Sequence, residues 1–524
     1  MLLDYYKKYY QQNTEQAKKD GCIFYEGAYR LSLKQKQEIL TNNIYGVDID
    51  QQAVEVTQLS LYLKLLEDES TATANDTWVL FKEQLLPDLN KNIVCGNSLI
   101  GTDILNLTLQ FPLLDKERGR SEVDELKIKP MDFENVFPEV MNKGGFDAIV
   151  GNPPYGAELS EFEKTYLNKC YKIQTTDTAA LFIDKANKLL IKIGRLSYII
   201  PKPFLFADGW NAIRKKYLPS LETVIDCGKV WRNVKLEQII IVETKGTEFK
   251  EYNSGYRRDE ELIIDQKITK ELSKNFEMIL SNINLNEINL GMKIKLQGKS
   301  LGAVCDIKRG LDIQDALTEK NIFKNIYRSK SIGRFELKDP KEGITKSTYL
   351  ELKSDLQYME QKKIIIQNIV AHVMNPTDHI ILMASMDEEG LLGLGSVGNI
   401  FIKDEKLNPY FIVALLNSKL FSWYAYRFIY GKAIRTMRFD QHHLNKLTLP
   451  PIKIETLVEH PSYKSIVAYS NQITAAKKQL QQAKTESDKT YLERKCTTLD
   501  KQIDDLVYQL YRLTEDEIKI VEGV

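Results

Sequence analysis

An amide, two prolines and an aromatic stand in a row at Asn152-Pro153-Pro154-Tyr155, directly after the strand-like run Phe146-Asp147-Ala148-Ile149-Val150-Gly151. Few chemistries need those residue types in that order. An exocyclic amine conjugated to a base ring is a poor nucleophile, because its lone pair is delocalised. The side-chain carbonyl of Asn152 and the main-chain carbonyl of Pro153 can both accept hydrogen bonds from such an NH2. Two acceptors on one amino group favour a pyramidal nitrogen as it attacks an electrophilic methyl group, a stabilisation aimed at the transition state. The prolines fix the backbone and donate no N–H, so the loop is rigid and rich in acceptors. Tyr155 then offers a ring face on which the substrate ring can stack. The plain alternative is a Pro-Pro turn that closes a buried strand, since Asn-Pro pairs are common turn formers.

Three further positions extend this chemistry. Asp48 ends the β-branched run of residues 43–50, where a carboxylate can accept from paired ribose hydroxyls; Asp48 or Asp50 can equally serve as a helix N-cap. Asn97 follows the short run Ile93-Val94-Cys95 and can bind the edge of an adenine ring, or be a turn residue. Trp231, in Gly228-Lys229-Val230-Trp231, can close the other side of a base sandwich, or be core. Glu243-Thr244-Lys245 with Asp226 upstream imitates a metal-nuclease pattern, but its strand already belongs to the same sheet, and the histidines lack metal-ligand spacing; no metal is implied.

The elements that must hold these residues alternate. Helices are expected at 2–12 and 33–40, a strand at 43–50, a helix after it, and strands at 93–95 and 146–151. A helix at 178–192, a strand at 196–200, a helix at 208–218 and strands near 222–227 and 238–243 follow. Residues 108–132 are charged and irregular and read as a loop or insertion. The alternation predicts an open, mostly parallel α/β sheet, with ligands at the carboxyl ends of its strands. The expected organisation is a catalytic domain over 1–250, a charged helical connector over 251–299, an α+β domain over 300–460 and a helical hairpin or short coiled coil over 461–524. Arg427, Lys432, Arg435, Arg438 and Lys446 are interleaved with Tyr424, Tyr426, Tyr430, His442 and His443, which suits phosphate contacts with base-edge readout. Lys202, with Arg214, Lys215 and Lys216, forms a second basic stretch. Each stretch can instead be a solvated charged face.

Composition bounds the setting. The chain has 524 residues, 43% hydrophobic and 27% charged, which is ordinary for globular domains and leaves room for two or three of them. No apolar run approaches the roughly 18–20 residues of a membrane helix, and the N-terminus lacks a signal-peptide stretch. The six cysteines are scattered and form no C-x-x-C, a pattern that suits reduced thiols in a cytoplasm. The formal net charge is zero, so affinity for nucleic acid must come from a local basic surface.

On these residues a family resemblance becomes specific. Tyr45-Gly46-Val47-Asp48-Ile49-Asp50, with Ala53-Val54-Glu55-Val56 and Leu59-Ser60-Leu61, resembles the second cofactor motif of gamma-class adenine-N6 DNA methyltransferases. Cys95-Gly96-Asn97-Ser98-Leu99-Ile100-Gly101 resembles their third motif. Residues 131–140, leading into Gly145-Phe146-Asp147 and Gly151-Asn152-Pro153-Pro154-Tyr155, resemble the catalytic region of the fused, single-chain (type IIG) restriction–modification enzymes. The similarity continues through Gly194-Arg195-Leu196-Ser197-Tyr198-Ile199-Ile200-Pro201 and residues 228–241, and resumes at Leu415-Leu416-Asn417-Ser418, Leu449-Pro450-Pro451-Ile452 and residues 506–511.

The resemblance implies a Rossmann-like methyltransferase sheet, then a target-recognition domain that binds double-stranded DNA. S-adenosylmethionine would sit on Asp48 and Ile49 at its ribose, with Asn97 holding its adenine amine and Ser98 beside it. Asn152, Pro153 and Pro154 would activate N6 of an extruded adenine, with Tyr155 and Trp231 on its two faces. Lys202, Arg427, Lys432, Arg435 and Arg438 would contact DNA. In one respect the sequence departs from the family. The Gly-bearing strand-turn-helix that holds the methionine end of the cofactor has no counterpart upstream of Asn43, nor has the nuclease region. The first strand of the sheet is therefore expected to be missing; either a separate polypeptide supplies both parts, or the chain is a truncated frame with poor or no activity alone. Two rival readings stand beside this one, a non-catalytic DNA-binding or specificity remnant and a protein-glutamine N-methyltransferase.

Overall fold

The computed structural model describes residues 2–25, 27–67, 86–104, 127–156, 158–173, 177–231, 234, 236–375, 377–434 and 438–523. Most of the expected loop at 108–132, and Arg435, lie outside them. The chain divides into two units, Met1–Tyr198 with Glu243–Thr247, and Ile199–Val242 with Glu248–Val524. It is mixed α/β.

The first unit opens with helix α1 (Leu2–Gln12) and the hairpin β1 (Ile23–Tyr25)–β2 (Ala28–Arg30). Helix α2 (Leu33–Asn43) starts at a capping box, in which Ser32 and Gln35 each accept the other's backbone N–H. It runs three residues beyond its expected end because the Asn92 side chain donates to the carbonyls of Thr41 and Ile44, 2.7 and 2.9 Å. The strand expected at 43–50 is correspondingly short. Strand β3 (Gly46–Asp48) lies parallel to β4 (Ile93–Cys95), with Asp48 opposite Cys95. Between them runs α3 (Gln51–Leu66), capped by the Asp50 carboxylate.

Strand β5 (Phe146–Gly151) precedes α4 (Glu161–Tyr171) and α5 (Thr178–Leu189). It pairs in parallel with β6 (Leu190–Pro201), Gly151 opposite Tyr198. The expected helix at 178–192 thus stops three residues early and its strand starts six residues early. Ile191 favours extended backbone, and Ile193 stands at φ 70° in an irregularity of the β5–β6 register, where its N–H donates to the Lys245 carbonyl at 3.0 Å. Val47, Val94, Phe146 and Ile149 pack on one cluster with Met131, Phe133, Phe137 and Leu189, so β3, β4 and β5 share a core. Tyr45 bridges them, its ring 5.4 Å from Phe137 and 5.8 Å from Phe146. The carboxyl ends of these strands carry Asp48, Asn97 and Asn152.

In the second unit, β7 (Leu221–Gly228), β8 (Gln238–Thr244), β9 (Glu251–Arg258) and β10 (Glu261–Thr269) lie in the order β10-β9-β7-β8. β7 and β9 are parallel, β9 and β10 antiparallel. Residues 251–269, expected as part of a helical connector, are therefore a hairpin. Their charges masked an apolar face carried by Tyr252, Tyr256, Ile263 and Ile268, and Asp259 makes the turn at φ 54°. Helices begin only at α6 (Lys270–Phe276) and α7 (Leu285–Gln297).

A second, antiparallel sheet follows in the order β11 (Cys305–Arg309), β14 (Val397–Ile402), β12 (Lys363–Gln367), β13 (Ala384–Asp387). Asn417, at the end of α8 (Pro409–Asn417), docks its side-chain amide on the free edge of β13. It exchanges hydrogen bonds of 3.0 and 2.8 Å with the Ala384 backbone. Helix α9 (Lys419–Phe428) is capped from outside by Asp504, which accepts the Lys419 N–H at 2.9 Å. Asp504 belongs to the second of two long terminal helices, α10 (Pro461–Gln482) and α11 (Glu486–Leu510).

Candidate active site

The turn after β5 is held from two sides and open on a third. A Cβ at Gly151 would stand 3.0 Å from the Tyr198 ring, so a side chain there would need that ring to give way by a few tenths of an ångström. Pro153 is buried, Asn152 and Pro154 are exposed and Tyr155 is half-buried. Thr178, first residue of α5, donates its hydroxyl to the Pro154 carbonyl at 2.8 Å. Asp177 caps the same helix by accepting the Ala179 N–H at 3.0 Å. The Tyr155 hydroxyl donates to Asn152 Oδ1 at 2.6 Å. Burial, and then the Asp177 carboxylate, push the Tyr155 pKa up, so this phenol stays a protonated donor. A carbonyl oxygen has two lone pairs, which leaves Asn152 able to accept a second donor from solvent. Asp177 and Thr178 were not singled out by sequence. The signal was present, because Asp before a helical run reads as an N-cap.

Asp48 and Asn97 lie on adjacent turns. The Asp48 carbonyl accepts the Gly96 N–H at 2.9 Å, and Asp48 Oδ1 accepts the Asp50 N–H at 2.8 Å. The carboxylate is exposed, and so is Ile49 beside it, at 49%. Asn97 Oδ1 accepts the N–H groups of Leu99 and Ile100, 3.0 and 3.3 Å. That oxygen is therefore occupied by its own turn, and the outward function of Asn97 is its amide NH2. An adenine would meet a donor there, suited to a ring nitrogen rather than to the exocyclic amine. Ser98 is half-buried in the same turn.

Trp231 lies in the second unit, 36% exposed, three residues past Gly228, whose φ of 57° turns the chain out of β7.

The basic residues expected on DNA are placed very differently from that expectation. Lys202 is buried, with Asp226 at 2.9 Å, Glu237 at 3.3 Å and the Lys432 carbonyl at 2.9 Å. Burial alone would depress its pKa, but the two carboxylates outweigh it and hold the ammonium charged. With all three N–H donors taken, Lys202 is no phosphate ligand. Arg427 is paired with Glu287 at 2.6 Å and stacks on Trp423 at 4.9 Å; Lys432 reaches the same carboxylate at 3.4 Å. Tyr424, Tyr426 and Tyr430 are core residues. Burial pulls Lys446 down to about 8. Lys202, Asp226, Glu237, Arg427 and Lys432 line a cavity of about 410 Å³ whose charges are largely paired with one another. Of the five basic residues expected to contact DNA, only Arg438 is exposed among those described. The carboxylates that neutralise the others lie up to 145 residues away in sequence, beyond the reach of any local pattern.

Among the described residues no group of three or more His, Cys, Asp or Glu is arranged to hold a metal ion. No helix of the described residues is long and apolar enough to cross a membrane.

Residues 42–230 match the family model for the Eco57I restriction-modification methylase, and residues 324–450 match the TaqI-like C-terminal specificity domain. The chain is 33% identical over 234 residues to the type II restriction enzyme and methyltransferase RM.Eco57I of Escherichia coli, covering 42% of this chain and 20% of the relative. It is 24% identical over 616 aligned positions to the putative type II restriction enzyme and methyltransferase RM.MjaORFECS2P of Methanocaldococcus jannaschii, covering 91% of this chain and 49% of the relative. The chain thus spans half or less of the length of either. The type IIL restriction-modification enzyme MmeI, solved in complex with DNA, superposes with a TM-score of 0.51 at 12% identity, over 99% of this chain and 75% of that one.

Proposed function

We propose that this chain, a relative of the type II restriction–modification methylases, carries the methyl-transfer and target-reading parts of an adenine-N6 DNA methyltransferase. The observation that carries the reading is the exposed turn at Asn152–Tyr155, built on a parallel strand that shares its core with the strands ending at Asp48 and Asn97. The matches to a methylase model and a specificity-domain model in one chain favour DNA as the substrate over a protein glutamine.

The residues fit S-adenosylmethionine as donor: Asp48 presents an exposed carboxylate to a ribose diol, and Asn97 presents an amide to an adenine edge. When bound, that cofactor supplies an electrophilic methyl group. Asn152 Oδ1 and the Pro153 carbonyl accept the two N6 hydrogens of an extruded adenine and pyramidalise its nitrogen. In doing so the adenine amine joins or displaces the Tyr155 hydroxyl at Asn152. The Tyr155 ring then lies against the base. Stacking of this kind offsets roughly 1–3 kcal/mol of the cost of unstacking the base. Arg438 and Arg435 remain candidates for phosphate contact in the specificity domain.

The pocket is completed by a further polypeptide segment. Val150 on β5 is 79% exposed, and Val56, Leu59 and Leu63 form an exposed apolar stripe on α3. Among the described residues β3 pairs only with β4, and β5 only with β6. Unpaired parallel edges beside bare apolar surface are what an added strand and helix cover. The test is transfer of tritiated methyl groups to duplex DNA by this chain alone and with a co-encoded segment bearing a Gly-rich strand-turn-helix. Label in DNA that requires the added segment is expected. No label in either case, with DNA still bound, would leave the chain a specificity protein without catalysis.

A further inference from the structure

The two turns assigned to the cofactor are joined through one lysine that no sequence motif marks. Lys129 is half-buried and adopts φ 47°, a left-handed conformation that lysine rarely takes. Its main-chain carbonyl accepts the Asn97 N–H at 2.7 Å. Its ammonium crosses to the other turn and donates to the Ile49 carbonyl at 2.9 Å. The ammonium also stands 3.3 Å from Cys95 Sγ, which itself donates to the Ile49 carbonyl at 3.4 Å. Pro130 continues the contact as an isolated bridge to Asn97. The unusual backbone angle is what allows one residue to offer its carbonyl to one turn and its side chain to the other.

From this geometry we infer that Lys129 is a positioning residue for the cofactor, fixing the separation between the ribose-facing carboxylate of Asp48 and the adenine-facing amide of Asn97. The inference rests on the cofactor reading of those two turns and adds to it. Ile49 lies between Asp48 and Asp50, so a cation on its carbonyl pins the backbone whose N–H groups orient the Asp48 carboxylate. The same charge lies near the acidic Asp-Ile-Asp turn and lowers the repulsion between its two carboxylates. Without the ammonium, the two turns are tied by the Gly96 N–H to Asp48 carbonyl bond, the weak thiol bond from Cys95 to the Ile49 carbonyl and the strand pairing that ends there. The bond to a charged donor is the stronger kind.

The test uses the full chain, together with its completing segment if binding requires one, and S-adenosylhomocysteine as the probe. Lys129→Met keeps the length of the side chain and removes its charge; Lys129→Arg keeps the charge; Lys129→Asn keeps a residue that tolerates the left-handed angle. Loss of a charge-assisted bond predicts about tenfold weaker binding for Met and Asn, and a value within about threefold of wild type for Arg. Hydrogen exchange without ligand should rise in Lys129→Met at residues 48–51 and 97–100, with unchanged protection in β5 and β6, and return to wild type in Lys129→Arg. Binding and exchange unchanged in Lys129→Met would overturn the positioning role alone. Absence of S-adenosylhomocysteine binding by the wild-type assembly would overturn the cofactor reading and this inference with it.

Discussion

The turn at Asn152–Tyr155 and the cluster around Lys202, Arg427 and Lys432 are both rich in polar atoms, and they have opposite characters. The turn keeps its acceptors outward: Asn152 is exposed, and among the described residues a single hydrogen bond, from its neighbour Tyr155, occupies its oxygen. The cluster closes on itself. Lys202 has three acceptors, and Arg427 and Lys432 share Glu287, whose carboxyl they hold below the usual range although burial pushes it up. A group poised for an incoming ligand has valence left over; a group that stabilises a fold has none. Sequence displays both as attractive clusters of functional residues, and only the partners separate them.

The contrast can be broken at either end. The largest effect is expected from Asn152→Ala, which removes an acceptor aimed at the reacting nitrogen. Methyl transfer should fall by about 10²-fold or more, while duplex binding in a gel-shift assay stays near wild type. If binding fell in parallel, the turn would be a docking surface and the contrast would be lost.

Lys202→Met should act on stability. It leaves Asp226 and Glu237 buried without their cation, a loss of about 3 kcal/mol measurable by urea unfolding. The salt dependence of DNA binding should not change. A slope reduced by about one would instead identify Lys202 as a phosphate contact.

The Asp504 cap on α9 is a second closed site and carries a pH signature. Burial pushes its pKa up to about 6, against an ordinary value of 3.8. The native state therefore binds this proton more tightly than the unfolded chain. Its contribution is fully present below about pH 4 and is lost as the pH rises through about 6, on the order of 3 kcal/mol. Asp504→Asn keeps an oxygen for the Lys419 N–H. It should flatten the fall in unfolding free energy between pH 4 and 6 and leave the variant more stable at pH 7. An unaltered slope would show that the carboxyl titrates normally.

The smallest effect is expected at Tyr155→Phe. The ring remains for stacking, and only the hydroxyl on Asn152 Oδ1 is lost, so transfer should change by a few-fold at most. A collapse comparable to Asn152→Ala would mean that the phenol, and not the ring, does the chemistry.

Much of the first unit was legible because its signals are local. Asp48, Asn97 and Asn152 each end a short apolar strand, and their caps and turns are set by residues within three positions. The lengths of α2 and α5 were misjudged where a distant residue decided the end: Asn92 prolongs α2, and the Lys245 carbonyl holds the N–H of Ile193 in the irregular turn of strand that follows α5. The 251–269 hairpin hid behind charges that face solvent. The basic stretch near α9 was misread for a related reason. A lysine's charge is visible in sequence, but the carboxylate that neutralises it, such as Glu287 for Arg427 from 140 positions away, is visible only in the fold. Lys129 escaped notice because its role needs a backbone angle that no residue pattern announces.

The central claim is that acceptors at the turn after β5 direct a methyl group to N6 of adenine. Nucleoside mass spectrometry tests it most directly, on duplex DNA treated with S-adenosylmethionine and the completed assembly, wild type beside Asn152→Ala. The account predicts N6-methyladenine with the wild type and none above background with the variant. A methylated cytosine in place of N6-methyladenine, or undiminished product from Asn152→Ala, would contradict it.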